Sequence, residues 1–384
     1  MKKIILSVAV ATMALTTAAA ALEDIKVNGQ AKLWYETNNG GTNGMFNKDG
    51  ASGEVVFKLG VTGKQGNVGF GATVYQTSTM GLEGTLVSGV RSPSQGLTGD
   101  GEMYTGEMYI TAPVGAKTLL KVGKQELDTP LAFTERWNAT PNTFNAAVAI
   151  NNSIDNLTVV AAFVGQGNTG EVVSRYAGTS VYALGALYKN DALAVNVWGY
   201  ELSSLAKAVW FDASLKAGPV ALKGVAVQMM PAASGVDDTT AFALQAKMKV
   251  ASVNLYAAAS TVSDGNTGSM AVGNTATANK KDKLGTDGVY TDGRYVSIPG
   301  STAFKIKASG KLAGTGLALQ YINNSNDVTP AQGDMSEIDL IVSKKLGDFN
   351  MKAILMHRDG EVGASSMADG DAQQHVRVIA SVNF

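Results

Sequence analysis

Residues equipped for acid–base or nucleophilic chemistry are few and scattered. The chain of 384 residues has two histidines, His357 and His375, and no cysteine. A serine hydrolase needs a base beside its nucleophile. His375 and Ser381 share one segment, but an extended strand would hold them about 20 Å apart. Both histidines read as residues at the rim, near strand ends. Without cysteine there is no disulfide framework and no thiolate metal site. Asp264, Asp282, Asp287 and Asp292 crowd the Gly-rich stretch 261–301, where Asp-Gly pairs favour turns. Carboxylate oxygens can hold a divalent cation. Solvated turn aspartates are the commoner outcome, so this stretch reads as a surface loop, with no metal and no other cofactor expected. The glycines of "GNVGFGA" fall inside a strand, where they cannot cradle a phosphate. No enzyme activity is expected.

A different chemistry remains, that of fixed charges acting on a passing solute. Lys32, Lys58, Lys121, Lys216, Lys247, Lys305, Lys307, Lys352 and Arg377 all fall on the polar side of alternating segments. The acids in equivalent positions are Glu36, Glu54, Glu107, Asp212, Glu337 and Asp339. Bases lead on that side, although the whole chain holds 31 Lys plus Arg against 32 Asp plus Glu. That balance excludes a broadly basic nucleic-acid binder. Trp34, Trp198 and Trp210 fall on the same polar side, which leaves open an aromatic slide for sugars.

The elements that would position these groups are strands. "IKVNGQAKLWYE" sets Val27, Gly29, Ala31, Leu33 and Tyr35 against Lys26, Asn28, Gln30, Lys32, Trp34 and Glu36. "AFKIKASGK" sets Phe304, Ile306 and Ala308 against Lys305, Lys307, Ser309 and Lys311. Such alternation marks half-buried strands. The segments run to about 9–11 residues, the length a tilted strand needs to cross a membrane. Strands are expected near 25–36, 53–63, 68–77, 102–112, 117–125, 144–151, 157–165, 180–189, 192–200, 206–216, 219–229, 240–249, 251–260, 302–311, 314–322, 336–345, 348–358 and 373–384. The expected fold is therefore all-β, a transmembrane antiparallel barrel of 18 strands, with 16 as the alternative. Tight links such as "LAG" and "LGD" follow even-numbered strands, and the long links 78–101, 126–143, 261–301 and 359–372 follow odd-numbered ones. Outer-membrane barrels alternate short and long connections in this way.

The N-terminus, "MKKIILSVAVATMALTTAAAALEDIKV", has two lysines, a short apolar run and a small-residue cleavage pattern. Residues 1–21 are expected to be a signal peptide cleaved before Leu22. The apolar run is shorter than the roughly 20 residues of a membrane-spanning helix. The mature barrel, 22–384, would then sit in lipid in a bacterial outer membrane. The last strand, "HVRVIASVNF", would close the barrel against the first and leave no open edge. Its final Phe384 resembles the C-terminal signal by which bacterial barrel-assembly machinery recognises its clients.

A barrel this wide cannot fill its own interior. Segment 126–143, the third outer loop counting from the link after the first strand, is expected to fold inward, with Asp128, Glu135, Arg136 and Trp137 at the constriction. The two acids would face a basic wall across the opening, formed by Lys32, Lys58, Lys121, Lys247, Lys305, Lys307 and Arg377. The pattern Gly-x-Gln-x-Leu-x-Thr-Pro, carried by Gly123, Gln125, Leu127, Thr129 and Pro130, resembles the substrate-specific outer-membrane porins that include basic-amino-acid channels. "PNTFNAAVAINNSIDNLTVVAAF" resembles the stretch after that family's constriction loop, and the major outer membrane porins of epsilonproteobacteria look related. The resemblance implies an eighteen-stranded, often trimeric barrel. The chain departs from it at Lys124, where the family often has Arg, and in a loop poor in acids. The resulting expectation is a passive, water-filled channel for small hydrophilic solutes or ions, weakly anion-preferring. The alternative is a structural or adhesive barrel acting through its outer loops.

Overall fold

In the computed structural model, the period-two pattern becomes eighteen paired strands. The structure describes residues 22–39, 44–46, 51–78, 103–167, 180–326, 328, 335–360 and 372–384. The expected signal peptide 1–21, and most of links 78–101 and 359–372, lie outside the described residues. The first nine strands are β1 (Glu23–Asn38), β2 (Ala51–Gln65), β3 (Val68–Ser78), β4 (Met103–Pro113), β5 (Thr118–Gln125), β6 (Phe144–Ile154), β7 (Leu157–Gly167), β8 (Val181–Lys189) and β9 (Leu193–Leu202). The second nine are β10 (Ala206–Ala217), β11 (Val220–Pro231), β12 (Thr239–Val250), β13 (Val253–Val262), β14 (Ser301–Leu312), β15 (Thr315–Asn326), β16 (Met335–Leu346), β17 (Phe349–Gly360) and β18 (Gln373–Asn383). Each pairs antiparallel with its sequence neighbours, and β18 pairs with β1. All eighteen expected strands are present. Some boundaries move: β6 runs on to Ile154 and β15 to Asn326, and the β12–β13 turn falls at Ala251–Ser252, two residues beyond the expected link, with Ala251 at φ 51°.

The tight turns lie at one end of the barrel. At Ala313–Gly314 both residues have positive φ, 47° and 75°, the geometry that matches a two-residue turn to the twist of its strands. At the closing seam, Gln30 faces Asn383 and Glu36 faces Arg377. Gly29 and Phe384 exchange backbone hydrogen bonds of 2.7 and 3.0 Å. The Phe384 ring lies over Gly29, 2.1 Å from where a Cβ would stand, and 5.6 Å from the Phe57 ring. Only glycine leaves room for the terminal ring on this outer face.

Side chains sort by face as the alternation requires. Leu33 is 44% exposed outside, whereas its neighbour Trp34, facing in, is 1% exposed. Phe57, Ile110, Leu184, Phe242, Leu244 and Ile306 are exposed in the same outward belt. No helix among the described residues is long and apolar enough to cross a membrane.

The interior departs from expectation in one sector. From β6 to β12 the inner face is largely apolar, with Phe144, Val148, Val164, Trp198, Trp210, Val227, Met229 and Ala241 buried in one cluster. Leu127, Leu131, Val272 and Leu284, from two long connections, complete that cluster. The blurred alternation near 144–151 and 219–229 has this cause: both faces of those strands are covered by apolar matter, lipid-type outside and loop inside. Trp198 and Trp210 are buried in this cluster and Trp34 in a separate one with Val56, Tyr75 and Ala139, so the three form no open slide.

Candidate pore constriction

The first inward connection, 126–143, starts where β5 ends. Gly123 adopts φ 125°, and a Cβ there would stand 2.3 Å from the Met108 carbonyl oxygen, so the strand edge is reserved for glycine. Gln125 is buried and donates to the Ala146 carbonyl at 3.0 Å. Residues 128–133 then double back, with Asp128 bridging to Phe133 and Thr129 Oγ1 donating to the Ala132 carbonyl at 2.8 Å. This turn drives Leu131 into the apolar inner wall. The Lys32 ammonium donates to the Ala139 carbonyl at 2.9 Å and ties the returning limb to β1.

The second inward connection, 263–300, corrects the sequence reading. It is no surface loop: Val272, Asn274, Leu284, Thr286, Thr291 and Val296 are wholly buried. Wall residues on four strands hold it. Gln245 donates to the Leu284 carbonyl at 2.8 Å, and the Tyr256 hydroxyl donates to the Gly285 carbonyl at 2.8 Å. Ser260 and Thr286 share a hydrogen bond of 2.7 Å, and Lys305 donates to the Asp287 carbonyl at 2.5 Å. The Glu337 carboxylate accepts the backbone N–H groups of Val289 at 2.6 Å, Tyr290 at 3.1 Å and Thr291. The short helix α1 (Gly293–Val296) is capped by Asp292, whose side chain also pairs with Arg294 at 3.0 Å. Three of the four aspartates expected to be solvated are not: Asp282 and Asp292 are buried and Asp287 pairs with Lys281 at 2.9 Å, whereas Asp264 is exposed as expected. No cluster of three potential metal ligands exists among the described residues.

The two connections dock on each other inside the barrel. Asp128 pairs with Lys283 at 2.7 Å. The Glu135 carboxylate accepts from Trp137 Nε1 at 2.7 Å, from Asn274 Nδ2 at 2.9 Å and from the Thr277 hydroxyl. Burial pushes the Glu135 carboxyl above its ordinary range, against the pull of those three donors. Arg136 pairs with Glu126 of its own loop. The partner of Asp128 and two of the three donors to Glu135 thus come from the second loop rather than from the lysine-bearing wall. Trp137 packs 6.5 Å from the Trp34 ring and 5.7 Å from the Arg377 guanidinium.

The lysines and the arginine expected on the inner wall stand in unlike settings. Arg377 donates to Glu36 at 2.6 Å across the seam, with both side chains buried. Lys121 stands 3.6 Å over the Tyr109 ring, Lys58 lies 5.9 Å from the Tyr75 ring and Lys247 lies 5.5 Å from the Tyr256 ring. Lys247, Lys249, Lys305, Lys307 and Tyr256 line a cavity of about 560 Å³ toward the tight-turn end. Lys216, Lys247 and Lys249 are exposed although they point inward, so solvent reaches the interior from that end. His375 is not a rim residue: its imidazole is buried and stacks on Tyr290 at 4.0 Å.

Sequence reasoning put Glu337 on the inward face and 261–301 at the surface, and so missed that the second loop folds in to meet Glu337, its main wall partner. A signal was present: Val272, Leu284 and Val296 are isolated aliphatics in an otherwise polar stretch, each a candidate anchor.

No protein-family model matches the sequence, and no curated protein matches it. Solved structures do. OpdK of Pseudomonas aeruginosa, crystallised with vanillate, is 14% identical with a TM-score of 0.71, covering 94% of this chain and 98% of that one. OccAB1 of Acinetobacter baumannii is 14% identical with a TM-score of 0.70, covering 95% and 97%. A BenF-like porin from Pseudomonas fluorescens is 15% identical with a TM-score of 0.69, covering 95% and 99%. Over nearly its whole length, the chain has the eighteen-stranded barrel fold of these outer-membrane channels.

Proposed function

We propose that the protein is a passive porin of a bacterial outer membrane, admitting small hydrophilic solutes through a passage narrowed by loops 126–143 and 263–300. The observation that carries this reading is the inverted barrel: an apolar outer belt, inward-facing charges and two connections folded into the interior. A closed sheet satisfies its backbone in lipid without an edge, which an open sheet cannot do. Asp128, Glu135, Arg136 and Trp137 belong to the constriction, with Glu135 and Trp137 positioning the two loops and Asp128 and Arg136 the more exposed pair. Lys58, Lys121, Lys247, Lys305 and Lys307 bias the passage weakly toward anions, while Arg377 is balanced by Glu36. Export by a signal peptide at 1–21, assembly through the strand ending in Phe384, and trimerisation complete the reading.

The test is single-channel recording in planar lipid bilayers. Stepwise currents support the porin, and their absence supports an adhesive or structural barrel. The zero-current potential in a salt gradient gives the sign of selectivity.

A further inference from the structure

Loop 263–300 carries a buried carboxylate that the passage itself does not need. Asp282 opens the turn 282–285, whose Leu284 is fully buried in the apolar inner wall. Asp282 Oδ1 accepts the Leu284 N–H at 2.7 Å, and Oδ2 is buried with no hydrogen-bond partner. The nearest cation, Lys281, pulls against that burial but is shared with Asp287 and Asp292. Within the loop, Asp287 faces it with a like charge, and the Lys281 ammonium is committed to Asp287 Oδ2 at 2.9 Å and the Gly288 carbonyl at 2.7 Å. Lys283 is turned away to Asp128 of the first loop. From β13, the Tyr256 hydroxyl faces both aspartates. From β14, Lys305 and Lys307 act on Asp287. From β12, Lys247 stands over the Tyr256 ring. From β16, Glu337 is committed to the amides of 289–291, and Asp339 faces Glu337, Gln320 and Lys305. Glu135 and Asp292 act on the Lys281–Arg294 side of the loop.

We propose, on the reading that the barrel is a channel, that loop 263–300 is a proton-held plug: a protonated Asp282 keeps turn 282–285 seated in the inner wall, and its ionisation unseats the turn and widens the passage. A neutral carboxyl tolerates the dry seat beside Asp287, whereas a second carboxylate there is both desolvated and repelled. Burial and the Asp287 charge push Asp282 up to about 7. Asp287, despite its burial, is held below the usual carboxylate range by Lys281 and Lys305. The sign follows. The seated turn holds the Asp282 proton more tightly than the same turn in water, where the ordinary value is 3.8. Acid favours seating; seating weakens as pH rises from about 4 to about 7, then levels off. Between pH 5 and pH 8 the ratio of unseated to seated turn therefore rises, by roughly tenfold or more.

The chain has no cysteine, so single thiols can report the turn. With the full barrel in lipid vesicles, Thr286→Cys reads the buried turn and Asp264→Cys, an exposed position, serves as reference. The ratio of their maleimide labelling rates cancels the common rise in thiolate with pH. The expected result is a ratio that climbs by at least about tenfold from pH 5 to pH 8 and stays low and flat when Asp282→Asn is added. Asp282→Ser, which keeps an uncharged acceptor for the Leu284 N–H, should give the same flat profile if the Asn variant folds poorly. A flat ratio in the otherwise native barrel overturns the plug, as does a climb that persists in both Asp282 variants. A climbing ratio in a barrel that passes no current at any pH supports the plug and removes the channel reading instead.

Discussion

Replacing Glu36 with Gln tests the closing seam, the first loop and the second loop at once. Glu36 and Arg377 are register partners across the β1–β18 seam, 2.6 Å apart, with side chains 1% and 4% exposed. Glu36→Gln removes one charge and leaves the guanidinium buried, a change that costs about 3–5 kcal/mol when a buried pair loses one partner. Three rings moderate the loss. Trp34, Trp137 and Tyr290 surround Arg377 at 4.8, 5.7 and 5.5 Å, and cation–π contact offsets part of an unpaired charge. The expected destabilisation is therefore near the low end, about 3 kcal/mol, or more than a hundredfold in the folding equilibrium. The double variant Glu36→Gln, Arg377→Met removes the orphaned charge and should recover about 2 kcal/mol of that loss. The assay is equilibrium urea unfolding from lipid vesicles, followed by tryptophan fluorescence, with Trp34 and Trp137 reporting from the site itself. A single variant within about 0.5 kcal/mol of the parent, or a double variant worse than the single by the sum of two independent losses, would refute the assignment of this pair as the buried fastening of the seam.

Three further outcomes are expected. Lys305→Glu with Lys307→Glu should shift the zero-current potential toward cations, and an unchanged potential removes these lysines from the conducting path. Glu135→Ala strips the acceptor from Trp137 Nε1, Asn274 Nδ2 and Thr277 Oγ1, should cost about 1–3 kcal/mol of loop docking, and should raise single-channel conductance or its noise; an unchanged conductance trace would separate loop docking from the passage. Gly123→Ala places a Cβ against the Met108 carbonyl at a positive φ and should destabilise the folded barrel by about 1–3 kcal/mol in the same urea assay, an effect Gly224→Ala, which has open space, should lack.

What could be read from residue order followed from contacts that are local and repeated. Leu33 outside and Trp34 inside differ by one position, and the same one-residue rule holds at Phe304 and Lys305. That rule located every strand, the parity of the links and the sense in which Arg377 points. Where it was faint, as in β6 and β11, the cause was not local. The inner faces of those strands are apolar because Leu131, Val272 and Leu284, far off in sequence, rest on them. The first loop was legible in part: its inward fold was expected because a barrel this wide cannot fill its own interior, and Gly123, Gln125 and Pro130 carried a resemblance to channels with such a loop. Its partners were not, because Glu135 finds Asn274 and Thr277, well over a hundred positions away, and Asp128 finds Lys283. The aspartates of 263–300 looked solvated because polar, Gly-rich sequence favours turns wherever those turns end up. Alternation decided the barrel, since each strand sorts its own side chains between an apolar surround and a wet interior. Only the closed tertiary structure decided what occupies that interior, since the hydrogen bonds that Glu337 accepts and that Gln245 and Tyr256 donate, which hold the second loop, exist only once the ring of strands brings those side chains around it.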